Sequence, residues 1–421
     1  MKERLGGGSP EAHKDEYVCP DCFADKGLRG FAECEVSKNA CSFCGAEAPE
    51  PIAAPMVKVL LYINECLARE YDFAENKLTY DSECSGYLGQ TWTTRELLED
   101  QLALELPNDD DGVLMQALCD GLEDRPWCSA RPYSFSDDEK LNYSWDWFCE
   151  LVKHDRRYFF LHEPLDEELL NPLSLLREFE DWCRKFGLIS VLPNGQPVYR
   201  ARRQERGERL QGPIDLGPPP REKATVANRM SPPGIVMFYG SDEPETALRE
   251  VAREPECGTD RYVVGEFQTV RETRVLDLTR IPPIPSIFEP VSDTLEYDPR
   301  TPLIFLNYFA AELSMPIAGD SSAHVEYVPP QVVTEFVRSE FRHEDLPLDG
   351  IRYRSARHAG GNSLVLFASQ ENLEGQEGRV ERWAYADSDQ WIKLVGREER
   401  EVTTADAEAW DREAPRRFGW V

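Results

Sequence analysis

The stretch ANRMSPPGIVMFYGSDEPETALREVAR, residues 227–253, decides the reading of this chain. Its Pro-Pro-Gly marks a loop, and IVMFYG (235–240) is a short continuous apolar run of the kind that becomes a buried strand. PETALREVAR then opens on a proline suited to a first helical turn and follows helical spacing. Along this loop, strand and helix stand a cation, an aromatic ring and a carboxylate: Arg229, Tyr239 and Glu250.

Outward from that stretch the C-terminal half keeps the same texture. LISVLPNGQPVYRAR (188–202) places a Pro-Asn-Gly turn between two short apolar runs, and LQGPIDLGPPPRE (210–222) reads as a loop. RYVVGEFQ (261–268), RVLDL (274–278), GIRYRS (350–355) and SLVLFA (363–368) read as strands, and PPQVVTEFVRSEF (329–341) as a helix. The zone is α/β or α+β in character, with strands too short and too irregularly spaced for a nucleotide fold of parallel βαβ units.

Upstream, apolar residues spaced by three and four predict helices over MVKVLLYINECLAREY (56–71) and TTRELLEDQLALEL (93–106). A longer one is expected over 166–186, broken or kinked at Pro172. The expected organisation is a flexible start (1–16), a small zinc-ribbon-like module (17–50), a mostly helical bundle (51–190), a catalytic domain (191–400) and a tail (401–421).

The module rests on Cys19-Pro-Asp-Cys22 and Cys41-Ser-Phe-Cys44, two CxxC pairs at a spacing that suits four-thiolate zinc. Four thiolates fill a tetrahedral shell and leave no open position, so the metal would be structural. Gly45 supplies the permissive backbone that follows such a turn, and Cys34 is a possible substitute ligand. Ordinary reduced cysteines are the alternative. The remaining seven, Cys66, Cys84, Cys119, Cys128, Cys149, Cys183 and Cys257, are scattered and read mainly as small core residues.

Composition sets the limits. With 41% hydrophobic and 30% charged residues and no long apolar run, the chain reads as soluble and without a membrane span. No basic start followed by an apolar core marks a signal peptide, so a cytoplasmic location is the expectation. A net charge of −31 argues against nucleic acid as the main ligand, although Arg200 to Arg209 is a local basic run.

Breaking an N-glycosidic bond passes through an oxocarbenium-like state, which a carboxylate near the ribose stabilises while an arginine neutralises a pyrophosphate. An aromatic ring holds the departing base. Glu250, Arg229 and Tyr239 suit those three tasks for a nicotinamide dinucleotide, NAD. On composition alone, Glu250 would be a solvated helix residue, Tyr239 core, and Arg229 a surface cation.

VYRAR (198–202), NRMSPPGIVMFYGSDEPETALREV (228–251), EYVPPQVVTEFV (326–337) and LDGIRYRSARHAGGNSLVLF (348–367), in that order, resemble the RES-domain family. The resemblance implies a split, mostly antiparallel sheet like that of ADP-ribosyltransferases. It also implies a toxin or defence effector that degrades NAD by hydrolysis or phosphorolysis, or else transfers ADP-ribose to a protein. Carried over to this chain, Arg200 and Arg229 would face the dinucleotide phosphates, Tyr239 would pack on nicotinamide, and Glu250 would be the catalytic carboxylate. Ser355 would be the family's serine, with Asn362 a further candidate. Residues 280–325 look longer than a minimal domain needs, with LDLTRIPPIPSIFEPVSD (276–293) expected as an extra loop over the site.

The CxxC pairs, the helical segment with KHDRRYFF (153–160) and the RES motifs together resemble an architecture in which a HEPN-type domain precedes RES. HEPN ribonucleases pair an arginine and a histidine on a helix, for which Arg156 or Arg157 with His162 are the candidates. The bland reading of RRYFFLH is a helix with a buried aromatic face, and the zinc and helical parts would then be a recognition, sensor or oligomerisation module. A toxin of this kind needs restraint, from a separate antitoxin or other regulatory protein or from the N-terminal domains themselves.

Overall fold

The computed structural model describes residues 10–134, 136–160, 169–255, 258–290, 298–314, 323–374 and 389–414. The chain divides into two compact units, residues 1–139 with 283–302, and residues 140–282 with 303–421.

In the first unit the helices Lys26–Cys34, Met56–Leu67 and Val113–Gly121 surround a core of Phe23, Leu28, Met56, Ile63, Leu98 and Leu118. Asp25 caps the first helix by accepting from the Leu28 amide at 2.9 Å. The helix expected over 93–106 is short: a capping box at Thr93 and Glu96 starts it, and after Gln101 the backbone turns out through Ala103 at φ 47°. Short ladders Tyr71–Phe73 with Trp127–Ser129 and Tyr80–Asp81 with Gly86–Tyr87 interrupt the segment, so it is not a pure helical bundle.

Residues 283–290 do not form a loop of the catalytic half, contrary to expectation. Ile287 and Phe288 are buried in the first unit's core, the Tyr62 hydroxyl donates to the Phe288 carbonyl at 2.6 Å, and Arg300 pairs with Glu70. Gly27 makes this possible, since a Cβ there would lie 2.2 Å from the Phe288 backbone. The apolar pair in SIFEP carries no periodicity, and only its burial reveals its role.

The second unit is built on one eight-stranded sheet. Its strand order is Ile392–Thr403, Thr259–Thr269, Pro197–Arg203, Phe238–Ser241, Asn362–Leu366, Gly350–Arg354, Thr273–Asp277, Ile189–Leu192. All neighbours run antiparallel except Thr273–Asp277 and Gly350–Arg354. The class is therefore mixed α+β. Between Pro197–Arg203 and Phe238–Ser241 the pairing narrows to one residue pair, Tyr199 with Ser241.

Helices Pro172–Lys185, Arg300–Ser314 and Val328–Glu340 cover one side of the sheet through Phe179, Trp182, Phe305, Phe309 and Val337, packed with Leu276, Ile351 and Val365. Pro172 opens the first of these helices instead of kinking it, because Asn171 caps the turn by accepting from the Ser174 amide at 2.9 Å. The expected tail is structured as far as residue 414: the edge strand runs to Thr403 and the helix Thr404–Glu413 follows. The 210–222 loop contains the single turns Pro213–Leu216 and Arg221–Lys223. Residues 1–9 of the expected flexible start and Cys257 lie outside the described residues. Among the described residues no helix is long and apolar enough to cross a membrane.

Candidate functional site

The single-pair joint in the sheet opens beside a cavity of about 610 Å³, within the usual size of small-molecule sites. Its wall takes Arg200 from one strand, Tyr239 from the next, Glu250 from the helix Pro244–Val251 and Arg229 from the preceding loop. Folding thus brings together four of the residues singled out in the sequence.

Glu250 is half-buried and held by two serines: the Ser355 hydroxyl donates to Oε1 at 2.6 Å and the Ser363 hydroxyl at 3.0 Å. Ser355 is buried and absent from the cavity wall, and its oxygen accepts the amides of Arg357 and His358, both at 3.1 Å. It positions the carboxylate. Ser363 does line the cavity, and sequence reasoning passed over it for its neighbour Asn362. Adjacent strand residues point to opposite faces. Asn362 accordingly donates to Asp242 at 3.2 Å, away from the wall, in a network where Arg352 bridges Asp242 and Asp277.

Tyr239 shares a 3.0 Å hydrogen bond with the Ser231 hydroxyl and accepts from the Met230 amide at 3.3 Å, which ties the NRMSPPG loop to the strand. Burial raises its phenol's pKa. Tyr353, also on the wall, is raised by burial and then by the Glu250 charge. In the sequence Tyr353 stands out only as an aromatic in a strand.

The arginines are spent on carbonyls and not on acids. Arg200 donates to the Tyr239 carbonyl at 2.6 Å, and Arg229 donates to that of Leu313. The Arg200 Nε is buried with no partner among the described residues, and burial, then Arg202, pushes the guanidinium down to about 10. Among the described residues neither arginine pairs with a carboxylate. With Lys223, Arg253 and Arg357 the wall carries five cations against the one acid Glu250, in a chain of net charge −31. Such a site concentrates anions. Elsewhere in the 200–209 run Arg203 pairs with Asp260 at 3.0 Å and Arg202 lies 3.8 Å from Glu208.

The first unit holds a separate cluster. Sulfurs of Cys19, Cys22, Cys41 and Cys44 all lie within 4.8 Å of one another, with Cys19–Cys22 at 3.6, Cys19–Cys44 at 3.5 and Cys22–Cys41 at 3.7 Å. A tetrahedron of thiolates with zinc–sulfur bonds of about 2.3 Å has edges of about 3.8 Å, so the donor set fits. The Cys19 amide points at the Cys41 sulfur from 3.3 Å and Gly45 turns away at φ 71°. Cys34 is exposed and takes no part in the cluster.

Arg156 and Arg157 do not lie on a helix. The helical backbone ends at Asp155, Arg156 to Phe159 are exposed, and only Phe160 turns inward; His162 lies outside the described residues. The buried aromatic face of the bland reading is likewise absent, with Tyr158 and Phe159 turned to solvent. Phe159 at φ 53° breaks the helical path.

Comparison with known families finds two domain models along the chain. Residues 35–166 match the model of HEPN/RES N-terminal domain 1, and residues 197–387 match that of the RES domain. No curated protein and no solved structure matches the chain significantly. With both family models matched in order and a four-cysteine cluster near the start, the chain belongs to the RES-domain family, in the form that carries a HEPN/RES N-terminal domain.

Proposed function

We propose that this chain cleaves NAD at the nicotinamide–ribose bond, acting as a glycohydrolase or phosphorylase and serving as an NAD-depleting toxin or defence effector. One observation carries the reading: a carboxylate fixed by two serine hydroxyls stands on the wall of a cavity that also presents five cations and four tyrosines. The single-pair joint between two parts of the sheet supports the finer fold reading, a split sheet of the ADP-ribosyltransferase kind.

In this reading Arg200 and Arg229 take the pyrophosphate, Tyr239 packs on nicotinamide, and Glu250 faces the ribose. As the carbon–nitrogen bond breaks, nicotinamide leaves as a neutral base with the bonding pair, and positive charge grows on the ribose beside the Glu250 carboxylate. Water or phosphate then bonds to that carbon and gives up a proton. Ser355 and Ser363 hold the carboxylate in place. Asn362, through Asp242, supports the neighbouring strand, and zinc on Cys19, Cys22, Cys41 and Cys44 holds the N-terminal module together.

The test is purified protein with NAD, nicotinamide and ADP-ribose products followed by NMR, with and without phosphate, beside Glu250→Gln. Release that needs Glu250 supports the proposal, and phosphate dependence selects phosphorolysis. Release only after a protein acceptor is added selects ADP-ribosyl transfer. No release under either condition sinks the reading and turns attention to a regulatory partner or to the N-terminal domain.

A further inference from the structure

We infer that Thr246 and His358 form a latch that fixes the direction of the Glu250 carboxylate. Both act as positioning residues for the cleavage proposed above, on which this inference rests. Thr246 is fully buried on the helix Pro244–Val251, four residues before Glu250 and so one turn away on the same face. Its hydroxyl lies 2.7 Å from His358 Nδ1.

His358 belongs to the same short loop as Ser355, and that loop closes on itself. The Ser355 amide donates to the Gly361 carbonyl at 2.9 Å, the Gly361 amide to the His358 carbonyl at 3.0 Å, and the His358 amide to the Ser355 hydroxyl at 3.1 Å. One rigid loop therefore grips one short helix at two heights, at Glu250 through Ser355 and at Thr246 through His358. Hydrogen bonds to one oxygen alone let a carboxylate pivot, whereas a second anchor one turn away removes that freedom.

Two observations set the latch apart from incidental packing. A Cβ on Gly361 would stand 2.4 Å from the Thr246 hydroxyl and 2.7 Å from His358 Nδ1, so the loop closes to a distance only glycine permits. His358 is also absent from the cavity wall, although its neighbours Ala356 and Arg357 line it, so its ring serves the helix and not the ligand directly. The buried Thr246 hydroxyl takes the ring as its partner, and opening the latch would leave it unsatisfied.

The test compares Thr246→Val, Thr246→Ser, His358→Ala and His358→Asn in the full chain, with Glu250→Gln as reference, by kcat and KM for nicotinamide release. Thr246→Val and His358→Ala should lower kcat by about ten- to a hundredfold with KM little changed. Serine at 246, and asparagine at 358 with its nitrogen near the Nδ1 position, should recover most of the loss. Wild-type kcat in both disruptive variants overturns the latch, as does a KM that rises in step with the loss of kcat and is not restored by serine. Should the wild type and Glu250→Gln both release nothing, the reading of the site fails. Hydrogen exchange then judges the latch alone, with faster exchange over 244–251 in Thr246→Val expected and unchanged protection overturning it.

Discussion

Ser355 and Ser363 donate to the same oxygen, Oε1 of Glu250, from 2.6 and 3.0 Å. No described residue donates to Oε2, which leaves that oxygen for the cavity. The two serines are not equivalent, because the Ser355 oxygen also receives two backbone amides. Ser363→Ala should cost about tenfold in kcat for nicotinamide release, the value of one hydrogen bond to a charged group. Ser355→Ala should cost more, since it also strands the Arg357 and His358 amides. A larger loss for Ser363→Ala would refute this order.

Arg200 should trade stability for binding. Its pKa lies near 10 where the unfolded chain has the ordinary arginine value, so at neutral pH both states carry the charge and burial costs folding free energy. The sign follows: between about pH 10 and the ordinary arginine range the unfolded state binds more protons, and stability contributed by this group rises with pH. At neutral pH, Arg200→Met should raise Tm by about 2–4 °C for each kcal/mol recovered. Inorganic pyrophosphate should raise the Tm of the wild type, and Arg200→Met should abolish that increase. A pyrophosphate shift that survives in Arg200→Met counts against Arg200 as a phosphate ligand.

One zinc per chain is expected by elemental analysis, and Cys19→Ser or Cys41→Ser should abolish it while Cys34→Ser does not. Metal binding to a site like this is coupled to folding, so a strong chelator should unfold the module. Circular dichroism with a colorimetric zinc assay reads both events together. Zinc release with an unchanged melting profile would show that the metal is not structural.

Phe288→Ala should destabilise the first unit by about 3–5 kcal/mol, the usual cost of emptying an aromatic core position. Gly27→Ala should do comparable harm from the other side of the contact, because its Cβ would overlap the Phe288 backbone. Urea unfolding followed by limited proteolysis reads this. Normal stability in both variants would mean that residues 283–290 are not part of that core.

Arg352 neutralises Asp242 and the nearly fully buried Asp277. Arg352→Met should cost about 3–5 kcal/mol, as expected when one member of a buried pair is removed. Adding Asp277→Asn should return part of it, and a double-mutant cycle with no coupling would disprove the bridge.

Much of this protein was legible in the chain itself. The two CxxC pairs specified their cluster, because local turns aim sulfurs at one point whatever surrounds them. Strands such as Thr259–Thr269 and Gly350–Arg354, and the helix Val328–Glu340, follow from local pattern and were readable to within a few residues. The motif order carried Arg200, Arg229, Tyr239 and Glu250 to one cavity.

Tertiary structure decided what depends on register and on distant partners. Asn362 and Ser363 are equivalent in composition, and only the pairing of Ser363 with Tyr353 and Ser241 sends the serine to the cavity and the asparagine to Asp242. The placing of Phe288 in the first unit's core, the shortening of the helix after Thr93 and the end of the helix at Asp155 also needed the fold. In each case the deciding contact joins residues far apart in sequence or overrides a weak local preference, and periodicity encodes neither. The sequence set the local elements and the chemistry available; long-range packing chose which side chains meet.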